Sequence, residues 1–151
     1  MNRFDCMQQL AARLKDELVV LSLGASVDEW YNAAPHMRSA SLFQQQLGCV
    51  TPQAFGLAVG LPHRRVVSLD TDGGMMFNLG ILATLANEQP KNLFIVVWDN
   101  ECYQSIGGPP MDGSTFRPSH AGRASSMPTL SPRSMTSTGA ASKGSTLCRP
   151  I

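Results

Sequence analysis

Apolar residues in the first hundred positions come in short blocks, and their spacing alternates between helical and strand-like. Phe4, Met7, Leu10, Ala11 and Leu14 fall on one stripe at the helical period, so a first helix is predicted, capped by Asn2. Leu18-Val19-Val20-Leu21 is a continuous apolar run of strand length that stops at Gly24. Ser26 and Glu29 have the spacing of a capping box, which predicts a second helix starting there, running through Trp30 and Tyr31 and closing at Pro35. Thr51-Pro52 supplies an N-cap and first-turn pair for a helix through Ala54, Phe55 and Ala58, ended by Gly60 and Pro62.

The clearest pattern lies between residues 65 and 100. Arg65-Val66-Val67-Ser68-Leu69 is rich in β-branched residues and runs into DTDGG. A helix is predicted from Asn78 to Glu88, with Leu79, Ile81, Leu82, Leu85 and Ala86 apolar and Pro90 as its breaker. Leu93-Phe94-Ile95-Val96-Val97-Trp98 follows as a second strand with no polar interruption. Strand, loop, helix and strand make a βαβ unit, and near-continuous apolar strands fit a parallel sheet covered on both faces. The predicted fold class is α/β, a three-layer α/β/α domain with a parallel sheet. DTDGG and Asp99-Asn100 then fall just past the carboxyl ends of neighbouring strands, where open α/β sheets place their ligands.

This periodicity stops after Met111. Residues 112–151 are dominated by Ser, Thr, Pro, Gly and Ala, with Phe116 as their one aromatic residue, and are expected to be disordered with no strand. Charge changes at the same place. Residues 1–111 hold seven basic against ten acidic residues, whereas residues 112–151 hold five basic residues and Asp112. The predicted organisation is a domain over 1–111 and a Ser/Pro/Arg-rich tail over 112–151, for which a frameshift is the preferred account over a genuine flexible extension. The domain is then expected to be incomplete on its C-terminal side.

Hydrophobic residues are 43% of the chain and charged residues 15%, which suits a soluble globular protein. A net charge of +1 argues against nucleic acid or an anionic membrane as a main partner. No apolar run reaches membrane-spanning length, and the N-terminus lacks the apolar core of a secretory signal, so a cytoplasmic location is expected. Cys6, Cys49, Cys102 and Cys148 have no paired spacing and are read as reduced thiols rather than zinc ligands. His36, His63 and His120 are isolated, and Glu101 reads as an exposed loop residue.

The candidate chemistry is that of a divalent cation holding a diphosphate. Mg²⁺ takes six oxygens at roughly 2.0–2.1 Å, typically one or two from carboxylates and the others from phosphate and water. A diphosphate needs backbone N–H groups at close range, which favours glycine beside it. Asp72-Gly73-Gly74 offers one carboxylate on a glycine-flanked loop, and Asn100 offers a neutral oxygen from the next strand end.

DTDGG, the 24 residues Met75 to Trp98, and then DN resemble the GDG…NN signature of thiamine diphosphate enzymes. RRVVSLDTDGGMMFNLGILATLANEQPKNLFIVVWDNECYQSIGG is similar to the small diphosphate-domain subunits of sulfopyruvate and phosphonopyruvate decarboxylases. LKDELVVLSLGASVDEWY and QLGCVTPQAFGLAVGLPHRRVV resemble the same group, so the likeness covers about residues 1–110. The resemblance implies thiamine diphosphate and Mg²⁺ as cofactors. It implies Asp72 and Asn100 as side-chain metal ligands, the backbone carbonyl of Cys102 as a third, and N–H groups of Gly73 and Gly74 on the diphosphate. Leu47 stands at the apolar prop that bends the cofactor, Gly48 follows it, and Gly24, Ala25 and Ser26 match a cofactor-touching loop. Thr71 replaces the first Gly of GDG, and Asp99 replaces the first Asn.

No catalytic side chain is expected in this chain, because the family's catalytic Glu lies on a pyrimidine-binding domain. The resemblance therefore implies a hetero-oligomer with a pyrimidine-domain partner subunit, decarboxylating a small 2-oxo acid and inactive alone. The alternatives are a non-catalytic or truncated thiamine diphosphate-binding module that docks such a partner, or a different phosphate-binding α/β protein.

Overall fold

The computed structural model describes residues 2–103 and 107 and the backbone of 147–150. Helix α1 (Arg3–Ala11) starts as the sequence predicts, with the Asn2 side chain accepting the Asp5 N–H at 2.8 Å. Strand β1 (Leu18–Ser22) leads into α2 (Ala25–Ala33), and a 3₁₀ helix (Pro35–Ala40) precedes β2 (Ser41–Gln44). Helix α3 (Val50–Gly60), strand β3 (Val66–Thr71), the short α4 (Asp72–Met76), α5 (Gly80–Glu88) and β4 (Leu93–Asp99) complete the βαβ region.

The strand order is β2-β1-β3-β4-β5. The first four strands are parallel, in agreement with the predicted α/β class, and β5 (Leu147–Pro150) runs antiparallel along β4. This last strand corrects the expectation that residues 112–151 hold none. Its four residues pair Val96 with Pro150 through Asp99 with Leu147. The expected disorder of the other tail residues lies outside the described residues.

Alternation along the parallel strands divides the core into two layers. Val19 and Leu21 of β1, Val67 and Leu69 of β3, and Val96 and Trp98 of β4 pack on Met7, Ala11, Trp30 and Met37. Val20, Val66, Ile95 and Val97 face the other way, onto α3 (Val50, Ala54, Ala58) and onto Met75 and Ile81. Helices thus cover both faces, which is why the strands carry few polar residues.

Several predicted element boundaries move, each for a local reason. Ser26 is not an N-cap: Gly24, at φ +95°, holds that position, and the Ser26 hydroxyl donates back to the carbonyls of Ser22 and Leu23. Glu29, the other half of the expected box, instead grips Arg3 through two hydrogen bonds of 2.7 and 2.8 Å. Helix α3 begins at Val50 with Cys49 at its N-cap, so Thr51 sits in the first turn and its hydroxyl is used elsewhere. The helix expected from Asn78 begins at Gly80, and a separate turn of helix, α4, holds the DGG residues themselves.

At the amino ends of the strands, Glu17 is buried and ion-paired with Arg65. Burial alone would raise its carboxyl. The N–H groups of residues 15, 17 and 16, together with Arg65, outweigh it and hold the group below its ordinary value of 4.5. A folded-state value below the unfolded one stabilises the fold above the unfolded pKa and loses that contribution as pH falls through the folded pKa. Glu17→Gln is therefore expected to lower stability at neutral pH, with the deficit closing as pH falls below 4.5. Urea midpoints from pH 3 to 7 check this, and a deficit independent of pH would contradict it.

Candidate cofactor site

Every segment singled out in the sequence follows the carboxyl end of a parallel strand. Residues 45–49 follow β2, Gly24–Ser26 follow β1, Asp72–Gly74 follow β3 and residues 100–102 follow β4. Because the strands are parallel, these four loops share one rim of the sheet. The chain passes from β1 outward to β2 and back across to β3 on the other side, so the order reverses between β1 and β3. Open α/β sheets bind ligands at such a reversal.

Asp72 is the first residue of α4 and is only 4% exposed. Its Oδ1 accepts the Gly73 N–H at 2.8 Å, and its Oδ2 accepts the N–H groups of Asn100 (3.2 Å) and Glu101 (2.9 Å). Two loops 28 residues apart in sequence therefore meet on one carboxylate. Glu101 adopts φ +56°, a left-handed conformation uncommon outside glycine, in the turn that brings both N–H groups to Asp72. The Asn100 side-chain oxygen accepts the Cys102 N–H at 3.2 Å, closing that turn. Burial pushes the Asp72 carboxyl above its ordinary value; the three N–H donors oppose this, and the charge of nearby Asp99 adds to it.

Thr71, at the position where the signature has Gly, has an extended backbone (φ −117°, ψ 155°), so no glycine is required there. Its hydroxyl accepts the Gly74 N–H at 2.9 Å and caps α4. The N–H groups of Gly73 and Gly74 are thus both hydrogen-bonded within the loop. Gly74 has no room for a side chain, since a Cβ there would lie 2.5 Å from Asp70 Oδ1 and 2.9 Å from Thr71 Oγ1.

On the other side of the reversal, Leu47 is 41% exposed and Gly48 is buried at φ +78°. A Cβ on Gly48 would come within 2.9 Å of Phe77 Cβ, and the Gly48 carbonyl accepts Asn78 Nδ2 at 3.3 Å. Positive φ and close approach both demand glycine here. Gly48→Ala is expected to cost about 1–3 kcal/mol in chemical denaturation. A variant as stable as the parent would show that this loop is not held as described.

Gly24 and Ala25 are exposed at the same rim, whereas Ser26 is buried with its hydroxyl turned back on β1. Beneath the rim lie two polar residues to which the sequence gives no site role, Asp70 and Thr51. Asp70, 1% exposed, accepts the Thr51 hydroxyl at 2.8 Å and the Thr51 N–H at 3.3 Å, and Thr51 lies 3.1 Å from the Ser68 hydroxyl. Thr51 looked like a helix cap, and the signal that pointed elsewhere was the extra Asp just ahead of TDGG. Burial pushes the Asp70 carboxyl up, against the pull of its bonds to Thr51 and Thr71.

Among the described residues, no three His, Cys, Asp or Glu side chains converge as a metal site. The candidate ligands are the Asp72 carboxylate, the Asn100 side-chain amide and the Cys102 backbone carbonyl, which is an oxygen set for a hard cation rather than for zinc. No helix among the described residues is long and apolar enough to cross a membrane.

Comparison with known proteins places the chain in a family. Residues 24–144 match the family described as thiamine pyrophosphate enzyme, C-terminal TPP binding domain. The chain is 36% identical over 107 residues to sulfopyruvate decarboxylase subunit beta of Methanothermobacter thermautotrophicus, covering 71% of this chain and 57% of that one. It is 35% identical over 107 residues to sulfopyruvate decarboxylase of Methanosarcina acetivorans, covering 71% of this chain and 27% of that protein. Phosphonopyruvate decarboxylase of Streptomyces viridochromogenes is 33% identical over 107 residues, covering 70% and 26%. The chain thus spans little more than half of the first relative and about a quarter of the other two. The fold, the loops gathered at one rim and the family match over most of the chain lead to one assignment: this protein belongs to the thiamine pyrophosphate enzymes, by their C-terminal TPP binding domain.

Proposed function

We propose that the chain binds thiamine diphosphate through Mg²⁺ and serves as the diphosphate-domain subunit of a 2-oxo acid decarboxylase of the sulfopyruvate or phosphonopyruvate type. The observation that carries this reading is the meeting of the Asp72 carboxylate with the 100–102 turn at adjoining strand tips. Asp72, the Asn100 side-chain oxygen and the Cys102 carbonyl are the residues that would hold the ion. A single carboxylate against a divalent cation leaves a net positive charge at the ion, as suits an anionic phosphate ligand.

Gly73 and Gly74 would give the diphosphate their N–H groups by exchanging the bonds now made to Asp72 Oδ1 and Thr71 Oγ1. A hydroxyl has one donor and two acceptor sites, so Thr71 can then donate its own proton to a phosphate oxygen. Leu47, exposed at the rim, suits the apolar body of the ligand, and Gly24–Ser26 border it on the side of β1.

When bound, the cofactor supplies the carbanion-stabilising chemistry of decarboxylation; this chain's share is to bind and orient it. No side chain of this chain transfers the proton; that task falls to a glutamate of a pyrimidine-domain partner, in a cytoplasmic hetero-oligomer. Titration calorimetry of the full chain with thiamine diphosphate, with and without Mg²⁺, tests the core of the proposal. Mg²⁺-dependent binding is expected, and no heat in either condition would overturn it. Decarboxylation of sulfopyruvate or phosphonopyruvate only after adding a pyrimidine-domain subunit would distinguish an enzyme subunit from a non-catalytic module.

A further inference from the structure

The two walls of the proposed cleft come from distant parts of the chain. One is the loop after β2 with Leu47 and Gly48, and the other is Asp72–Gly74 after β3. At the rim they are pinned together by Gly48, whose carbonyl accepts Asn78 Nδ2 and which has no room for a Cβ beside Phe77. Beneath the rim a second connection joins them. Asp70 Oδ2 accepts both the hydroxyl and the N–H of Thr51, three residues after Gly48, while Oδ1 accepts the Thr71 N–H at 2.8 Å. Gly74 lies so close above Asp70 Oδ1 that a Cβ would sit 2.5 Å from it.

This connection is dry. Thr51 and Ser68 are 0% exposed and Asp70 is 1% exposed. A buried carboxylate gains little over an apolar replacement of similar volume, because desolvation offsets what its hydrogen bonds return. What an apolar pair lacks is direction, for the carboxylate fixes the start of α3 and the start of the Asp72 loop in one orientation. We infer that Asp70 and Thr51 form a positioning pair that sets the separation of the Leu47–Gly48 wall from the Asp72–Gly74 wall, so that a ligand with an apolar ring system at one end and a diphosphate at the other is held at both. This inference rests on the reading of the site proposed above.

A two-ended ligand senses the separation of the walls, whereas inorganic pyrophosphate needs only the Asp72 loop and the 100–102 turn joined to it. Calorimetry of the full chain with Mg²⁺ and each ligand therefore separates positioning from general damage. Thr51→Val, which removes the hydroxyl and keeps the shape, is expected to weaken thiamine diphosphate roughly tenfold. Pyrophosphate affinity should stay within about twofold of the parent, and Thr51→Ser should restore both. Ser68→Ala, which leaves the Thr51–Asp70 bonds in place, should move neither. Should Thr51→Val not fold, Thr51→Ala carries the same expectation, since it too removes the hydroxyl bonded to Asp70 and leaves the Thr71 N–H bond in place. Equal losses for the two ligands, or no loss for either, would overturn the positioning role while leaving the site itself standing. A parent chain that takes up neither ligand would remove both.

Discussion

Asp72→Asn is expected to lower Mg²⁺-dependent thiamine diphosphate affinity by at least about 100-fold. Changing a residue that only supports a metal ligand typically costs 10- to 100-fold, and Asp72 is the one carboxylate in the proposed ligand set. The isosteric amide has a further handicap. The carboxylate now accepts three N–H groups, one on Oδ1 and two on Oδ2. An amide must turn its NH₂ toward either Gly73 or the 100–101 pair, which sets donor against donor and loosens the turn carrying Asn100. Calorimetry measures the affinity, and a parallel urea titration shows how much stability is lost beside it. Binding within threefold of the parent would remove Asp72 from the metal site.

Trp30→Ala should have the largest effect on folding, about 3–5 kcal/mol for a buried aromatic truncated in a packed core. Trp30 is fully buried between α1, β1 and the 3₁₀ helix. Its Nε1–H donates to Ser41 Oγ at 2.9 Å, and that hydroxyl donates to the Met37 carbonyl at 2.8 Å. One side chain thus secures α2, the 3₁₀ helix and the first residue of β2. Against a typical domain stability of about 5–15 kcal/mol, the loss is a large fraction of the total. Trp30→Phe keeps most of the volume and forfeits chiefly the hydrogen bond, for about 1 kcal/mol. Urea unfolding of both variants checks the ranking, and a cost below 1 kcal/mol for alanine would mean that the site collapses around the cavity.

Much of this is legible in the sequence. Val66–Leu69 and Leu93–Trp98 are β-branched or aromatic runs bounded by Gly and Pro, so the βαβ unit and the loops at its tips follow from local pattern. β2 was invisible for the converse reason. SLFQ is short, and Leu42 and Phe43 are both more than 40% exposed, so no alternation marks a buried face. Its strand conformation comes from pairing with Val19–Ser22. Thr51 and Asp70 stand 19 residues apart, and a hydrogen bond at that separation leaves no trace in periodicity. Ser26 and Glu29 had the right spacing for a reciprocal cap, yet each found a better partner: the Ser22 carbonyl for one and Arg3 for the other. Composition after Met111 likewise gave no hint of Leu147–Pro150, whose order depends on the open edge of β4.

Four parallel strands also leave the opposite rim of the sheet without a part in the proposed ligand site. Lys91, just before β4, is exposed there, and the seven residues of β4 put about 20 Å between it and Asn100. A fluorophore or surface tether attached through Lys91 should report on or immobilise the protein while leaving the opposite loops unobstructed. The same label placed among residues 45–49 would stand in the doorway.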